Sequence, residues 1–375
     1  MDAGYALTWG RQNLLGKTDH PARDAALLLA HVLGCSTSGL YLHPEQPVTG
    51  AQFQRYSALI ARRANREPIA YITGYKEFMG LKFRVDRRVL IPRPETEILV
   101  ETCLSVIGDM MHEPRITPVT VCDVCCGSGA VGLSILKLLP QICVPAGGYA
   151  WAESGDQSGR YAGAGGGLRA GGSALADAST CADGCTCVDG CVPADKDLGV
   201  AGSPGVRVIL TDISQDALDV AKQNAEQLGV LDQAEFLLGD GLEPLERHGL
   251  NGKADLIASN PPYIATGVIP TLDDEVKSYE PHLALDGGRE GMYFIENMIS
   301  QAPSMLAPGG YLIMEIGHDQ ADKCRDLLAT AKPEHKGHKD SSQIPEHASS
   351  WQDWRFVNDY AGKERVLVAK ISGRV

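Results

Sequence analysis

The chain has no apolar stretch long enough to span a bilayer, and its first residues lack the basic-then-apolar pattern of a secretory signal. A cytoplasmic protein with no membrane partner is expected. Positive charge is also in short supply: 34 Lys and Arg stand against 47 Asp and Glu, for a net charge of -13. Chains that grip nucleic-acid phosphates usually carry a basic footprint, so no direct nucleic-acid substrate is expected. The 11 cysteines are an odd number, and several fall in expected strands or beside a glycine loop. That placement argues for reduced thiols rather than a disulfide framework.

What is present suffices for a sizeable core. Of 375 residues, 44% are hydrophobic, and this length suggests two domains. Charge is divided unevenly between them. Residues 1–100 hold 13 Lys and Arg against 9 Asp and Glu, a net of +4, which leaves -17 for the remainder of the -13 total. Arg55, Arg62, Arg63 and Arg66 fall on one helix-like stretch, read first as a solvated helix face and second as a docking surface for an acidic protein.

Apolar periodicity predicts helices over 6–15, 22–33 and 51–65, with Asp19 as a cap near Pro21, and so a small helical bundle over residues 1–72. Within 71–89, Phe78, Leu81, Phe83 and Val85 predict a β-hairpin, assigned as a linker over 73–90. Ile91-Pro92-Arg93-Pro94 then forms a rigid, extended approach to a helix over 95–106, where Glu95 and Glu97 read as first-turn acids favoured by the helix dipole. The rest of 91–375 is read as an α/β domain.

Four successive strands in that domain end in residues suited to ligand chemistry. The run 119–124 breaks into Cys125-Cys126-Gly127-Ser128-Gly129 and then a helical pattern, so its backbone can approach a ligand closely beside a helix amino terminus. The run 206–211 ends in Asp212, the acid expected to hold ribose hydroxyls in nucleoside-binding sheets. The run 234–238 ends in Gly239-Asp240-Gly241. The run 256–259 ends in Asn260-Pro261-Pro262-Tyr263, where two prolines stiffen the loop and hold Asn260 extended. A carboxamide oxygen and a backbone carbonyl there can accept both N–H bonds of one planar NH2 group, while Tyr263 offers a ring face to stack on. The bland alternative is a proline-rich turn that merely caps a strand.

The combination resembles the S-adenosylmethionine-dependent methyltransferases that modify planar nitrogens. Further segments are similar to the PrmC/HemK family: Glu67-Pro68-Ile69-Ala70-Tyr71-Ile72-Thr73-Gly74, Ile91-Pro92-Arg93-Pro94-Glu95-Thr96-Glu97, Ala284-Leu285-Asp286-Gly287-Gly288, Glu315-Ile316-Gly317 and Asp359-Tyr360-Ala361-Gly362-Lys363-Glu364-Arg365-Val366. The resemblance covers most of 5–144 and 205–372. It implies a Rossmann-like class I S-adenosylmethionine-dependent methyltransferase domain behind a helical partner-recognition domain. The family methylates the side-chain amide (N5) of the glutamine in the GGQ motif of class I peptide chain release factors, which would be the protein partner.

Under that resemblance Asn260, Pro261 and Tyr263 are the catalytic candidates and Asn260 to Tyr263 the substrate-binding loop. The cofactor, S-adenosyl-L-methionine, falls to Cys125, Cys126, Gly127, Ser128 and Gly129 at its methionine end, Asp212 at the ribose, Asp240 and Gly241 at the adenine, with Asn260 alongside. An amide nitrogen is a poor nucleophile because its lone pair is delocalised, so acceptors that hold both N–H groups and stabilise developing positive charge are the expected catalytic device. Family members commonly carry glycine where Cys125 stands, so the loop must accommodate a β-carbon. A reactive-thiol reading of Cys125-Cys126 rests on the helix terminus, which lowers thiol pKa, although no histidine lies nearby in sequence.

Two other substrates remain open: a ribosomal protein glutamine, and a nucleic-acid adenine N6 stacked on Tyr263 after base flipping. A non-catalytic cofactor-binding protein is a third class, against which intact Asn260 and Tyr263 speak. The Gly/Ala/Cys-rich tract 144–204 departs from the family and is expected to be a disordered insertion. Within it Cys181, Cys185, Cys187 and Cys191 offer four thiolates that could close a tetrahedral zinc site, but their C-x3-C-x-C-x3-C spacing is not the paired C-x2-C signature, so a redox-sensitive or inert loop is the default and no metal is assigned. The His335, His338 and His347 segment over 333–350 reads as a solvated loop.

Overall fold

The computed structural model describes residues 1–112, 115, 117–139, 205–330 and 351–373. The expected insertion at 144–204, its four cysteines and the 333–350 histidine segment lie outside the described residues.

Five helices form the amino-terminal part: α1 (Ala3–Leu14), α2 (Pro21–Leu33), α3 (Thr37–Leu42), α4 (Gly50–Ala64) and α5 (Ile69–Thr73). Their apolar stripes meet in a core built from Leu14, Leu28, Leu29, Leu40, Tyr56 and Ile60. The Tyr56 hydroxyl does not lie idle there but donates to the Ala25 carbonyl at 3.2 Å. Asp19 is not the cap of α2. His20 occupies that position without a side-chain bond, and Pro21 opens the helix with its preset φ. Residues 71–73, expected in the hairpin, instead finish α5. The hairpin itself is shorter, β1 (Tyr75–Phe78) and β2 (Leu81–Arg84), paired antiparallel.

The arginine stretch divides: Arg55 and Arg62 are exposed, as a solvated face would have them, and Arg66 is half-buried beyond the end of α4, whereas Arg63 is buried in ion pairs. Arg63 is 5% exposed and donates to Asp24 in α2 at 2.7 Å and to Glu275 in the other lobe at 2.6 Å. Arg62 bonds Glu67 at 2.8 Å through two nitrogens. Sequence periodicity missed this because the carboxylate of Glu275 lies more than two hundred residues downstream.

After α6 (Glu97–Met111), preceded by a 3-10 turn over Pro94–Thr96, the chain builds a seven-stranded sheet. Its strands are β3 (Val119–Val124), β4 (Val206–Asp212), β5 (Ala234–Leu238), β6 (Ala254–Ser259), β7 (Leu306–Glu315), β8 (Trp351–Asn358) and β9 (Glu364–Ile371). The spatial order is β5-β4-β3-β6-β7-β9-β8; pairs among the first five strands are parallel, and β9 is antiparallel to both neighbours. Strands such as β3 and β6 are buried along almost their whole length, which explains their continuous apolar character. Helices α6, α7 (Ala130–Leu138) and α8 (Gln215–Leu228) contribute to one apolar core. Helices α11 (Tyr293–Met305) and α12 (Ala321–Thr330) contribute to the other, with short α9 (Glu243–Arg247) nearby and α10 (Asp274–Lys277) reaching the amino-terminal lobe. This is the expected α/β, Rossmann-like arrangement.

The chain starts at β3 in the middle of the sheet, runs outward to β5, and then crosses back to β6 on the other side of β3. The register sets Val124 opposite Ser259. The glycine loop after β3 and the Asn-Pro-Pro-Tyr loop after β6 therefore emerge side by side at the switch in strand order, where open α/β sheets form their ligand crevice.

Candidate active site

The glycine loop owes its path to three residues with positive φ: Cys125 at 60°, Gly127 at 54° and Gly129 at 76°. Cys125 is the exception, since an L-residue there is strained by its β-carbon. The loop is tied down along its length. Cys126 N donates to the Thr211 carbonyl at 2.9 Å, and Gly127 N to Asp212 Oδ2 at 2.9 Å. Asn224 on α8 clasps the Ser128 carbonyl at 2.8 Å. Behind the loop, Asp123 accepts the Gly132 amide at 2.8 Å, and burial pushes its carboxyl up to about 7.

Asp212 accepts a backbone amide on each oxygen, from Gly127 on one and from Ser214 at 2.9 Å on the other. Burial raises its pKa while these amides pull it down. Each oxygen keeps a lone pair for a further donor, so a pair of ligand hydroxyls fits here. Space in front of the loop is open, because a β-carbon built on Gly127 or Gly241 meets nothing within 4 Å. The end of β5 joins the same rim, with Gly239 N donating to the Asp212 carbonyl at 3.0 Å. The donor set and open ground fit a nucleoside carrying ribose hydroxyls.

On the other side of the switch point, Ser259 Oγ donates to the Val124 carbonyl at 2.7 Å and locks the two strand ends together. Pro261 and Pro262 are buried, while Asn260 and Tyr263 are half-buried. Asn260 Nδ2 donates to Thr96 Oγ1 at 3.1 Å. Its other amide atom, Oδ1, is thereby the one left for a ligand. The Tyr263 hydroxyl donates to Glu315 Oε1 at 3.0 Å. Gln320 Nε2 holds the Tyr263 carbonyl at 2.9 Å, and the Ile264 amide bonds the Leu285 carbonyl at 3.0 Å. Arg93 pairs with buried Glu280 at 2.6 Å and pins the Ile-Pro-Arg-Pro approach against the same region.

The structure thus brings Cys125 to Gly129, Asp212, Asp240 with Gly241, and Asn260 to Tyr263 to adjoining strand ends. The reactive-thiol reading loses its physical motive, since burial raises the Cys125 and Cys126 thiols instead of lowering them. All six cysteines among the described residues that are free, Cys35, Cys103, Cys122, Cys125, Cys126 and Cys324, agree with reduced thiols. Glu97 does more than favour a helix dipole: its Oε1 accepts the Met79 amide at the hairpin tip at 2.7 Å.

Two residues at the site, Glu315 and Thr96, stand in the family-like segments but receive no site role from the sequence. Glu315 carried a usable signal, a carboxylate closing an apolar strand, the same sign that marked Asp212. Thr96 carried none, because only folding brings it across 164 positions to Asn260.

Among the described residues, no helix is long and apolar enough to cross a membrane. Residues 5–74 match the PrmC N-terminal domain family, and residues 191–362 match a methyltransferase domain family. The chain is 35% identical over 306 residues to the release factor glutamine methyltransferase of Clostridium acetobutylicum, covering 81% of this chain and 82% of that one. It is 31% identical to the protein of that name from Chlorobaculum tepidum, with 84% and 85% covered. The corresponding figures for the Moorella thermoacetica protein of that name are 30% identity over 362 residues, 96% and 94%.

Proposed function

The chain belongs to the release factor glutamine methyltransferase family, and on that premise we propose how its residues divide the work of transferring a methyl group from S-adenosyl-L-methionine to a release factor glutamine. The target is the side-chain amide of the glutamine in the GGQ motif of class I release factors, in the cytoplasm. Residues 1–72 recognise the partner, 73–90 link the lobes, and 91–375 carry the chemistry.

When bound, S-adenosyl-L-methionine supplies an electrophilic sulfonium methyl. Asp212 holds its ribose hydroxyls, the backbone of Cys125 to Gly129 faces the methionine end, and Asp240 with Gly241 flanks the adenine. Asn260 Oδ1 and the Pro261 carbonyl accept the two N–H bonds of the target amide, while Tyr263 and Pro262 wall the planar group. Acceptors so placed hold the nitrogen lone pair in one direction and stabilise the positive charge that develops on nitrogen. Positioning of this kind contributes at most roughly 7 to 11 kcal/mol. No general base is required before transfer, since the proton can leave through the carbonyl acceptors or water.

The observation that supports this reading most is the Asn260 to Thr96 bond. It spends the amide nitrogen inside the protein and leaves an acceptor at the switch point, as an NH2 target requires. Incubation with labelled S-adenosyl-L-methionine and, separately, a release factor, ribosomal proteins and duplex DNA tests it. Label should appear on the release factor alone and vanish when the GGQ glutamine is replaced. Label on DNA or on the glutamine-less release factor overturns the assignment.

A further inference from the structure

Asn224 sits within α8 with 0% of its surface exposed and spends its carboxamide on two separate parts of the chain. Its Nδ2 donates to the Ser128 carbonyl of the glycine loop at 2.8 Å and to the Arg84 carbonyl of β2 at 3.1 Å. Its Oδ1 accepts the Arg84 amide at 2.7 Å. A carboxamide has two N–H donors, so both are used here, and the flipped orientation is excluded because it would set an oxygen against two carbonyls. The hairpin has only two strands, which leaves β2 with a free edge. Asn224 takes up both backbone groups of Arg84 there, as a neighbouring strand would. Almost one turn further along α8, Gln227 Nε2 donates to the Lys82 carbonyl of the same strand at 2.7 Å.

The loop at the other end of this link cannot fix its own shape. Gly127 has a φ of 54° and Gly129 a φ of 76°, and glycine moves in and out of that region with little resistance. The Ser128–Gly129 peptide between them could rotate as a unit, since such a turn changes mainly ψ of Ser128 and φ of Gly129. Two bonds prevent it. Asn224 holds the carbonyl of this peptide, and its N–H, on Gly129, donates to the Cys126 carbonyl at 2.8 Å. Helix α8 also packs closely beneath it: a β-carbon on Gly129 would stand 3.2 Å from Ala221 Cβ, on the turn before Asn224. The pinned peptide immediately precedes α7, in the cradle assigned to the methionine end of the cofactor.

We propose that Asn224 is a positioning residue that fixes the Ser128–Gly129 peptide for cofactor binding and ties it to the linker hairpin. Being fully buried, it acts through the Ser128 carbonyl and not by touching the cofactor. The proposal rests on the cofactor reading above for its ligand and goes beyond it by joining the cofactor cradle to the segment that links the lobes. Such coupling is reciprocal, so a ligand that holds the loop also holds the hairpin. Cofactor binding should therefore protect the Arg84 amide, although the hairpin is not among the proposed cofactor contacts.

The test uses the full chain with the demethylated product S-adenosyl-L-homocysteine as probe. Hydrogen exchange at the Gly129 and Arg84 amides and calorimetric affinity for the probe are measured in the native protein, Asn224→Ala, Asn224→Asp and Gln227→Ala. Aspartate keeps the shape of Asn224 and the acceptor for Arg84, but it turns an oxygen toward both carbonyls. In the native protein the probe should slow Arg84 exchange about threefold or more. Without probe, Gly129 exchange should quicken about tenfold or more in both Asn224 variants. Their dissociation constants for the probe should rise about tenfold or more, whereas Gln227→Ala, which keeps the Ser128 clasp, should stay within about threefold of native. At saturating cofactor, kcat in Asn224→Ala should remain within about threefold of native, because the Asn-Pro-Pro-Tyr loop is untouched. Native affinity and native Gly129 exchange in Asn224→Asp overturn the proposal, because a packing role needs only the shape. An Arg84 amide indifferent to bound probe in the native protein overturns it too, and that result requires no variant to fold. A native protein that binds no probe refutes the cofactor reading, while Gly129 exchange in the ligand-free variants still decides what Asn224 holds.

Discussion

Gly287 lies so close to Pro262 that a β-carbon built on it would stand 2.8 Å from the Pro262 carbonyl oxygen and 2.8 Å from Tyr263 Cα. Its amide donates to the Ile264 carbonyl at 2.8 Å, so this segment forms a wall behind the Asn-Pro-Pro-Tyr loop. Both close contacts are backbone, and no flexible side chain can give way. Gly287→Ala should therefore displace the loop, lower stability by about 1–3 kcal/mol and depress kcat without touching a ligand. Urea unfolding and methyl-transfer rates measure the two effects. Native values in both would show that the wall does not hold the loop.

Asn260→Ala removes the proposed acceptor while leaving the glycine loop and Asp212 in place. Turnover should fall about 100- to 1,000-fold, as for the loss of one transition-state hydrogen-bonding group. Cofactor affinity by calorimetry should stay within about threefold of native, since most proposed cofactor contacts remain. Comparable losses in both would move Asn260 from catalysis to cofactor binding.

Asp212→Asn replaces one of two oxygens that each accept a backbone amide. Either Gly127 or Ser214 must then face an NH2 group, a loss of about 1–3 kcal/mol from an unpaired donor. The expected result is a tenfold or greater drop in cofactor affinity, together with a lower unfolding midpoint. Unchanged affinity would sink the ribose assignment.

Asp123 predicts a pH dependence of stability. Burial lifts its carboxyl from 3.8 to about 7 in the folded chain. In the window between those values the folded state binds more protons than the unfolded state, so the Asp123 contribution is complete below the lower value and is lost as pH rises through the upper one. Asp123→Asn should flatten that decline. Unfolding free energies across the window, native minus variant, give the slope; a difference that does not vary with pH contradicts the lifted pKa. The nearby Asp212 is raised by burial too, so the comparison must be made as that difference.

Arg63 binds the two lobes by pairing with Asp24 and Glu275. Arg63→Ala leaves the buried Asp24 carboxylate without its cation, which should lower stability by about 3–5 kcal/mol. Denaturant unfolding with release factor affinity measured alongside checks this. A loss under about 1 kcal/mol would place the pair among ordinary surface bridges.

Much of this was legible in the chain before folding. Asn260 to Tyr263, the glycine loop, Asp212 and Asp240 with Gly241 stand out because each follows an apolar strand, and strand ends are where such sheets bind ligands. The three longer amino-terminal helices, α1, α2 and α4, were visible for a similar reason, since their apolar residues repeat at the helical period, whereas short α3 and α5 were not. These are local signals. They depend on residues within one turn or one strand of each other.

Other features had no local sign. Thr96 meets Asn260, Arg63 meets Glu275, and Gly287 backs onto Pro262 only after β6 returns beside β3 and the lobes dock. The raised Cys125 and Cys126 thiols likewise follow from burial, which adjacent residues do not report. Backbone periodicity and stiff dipeptides thus named the elements and their chemical ends, because these are set by neighbours along the chain. Pairing, burial and the orientation of one carboxamide were decided in space, because an electric field or a steric contact depends on distance and not on sequence order.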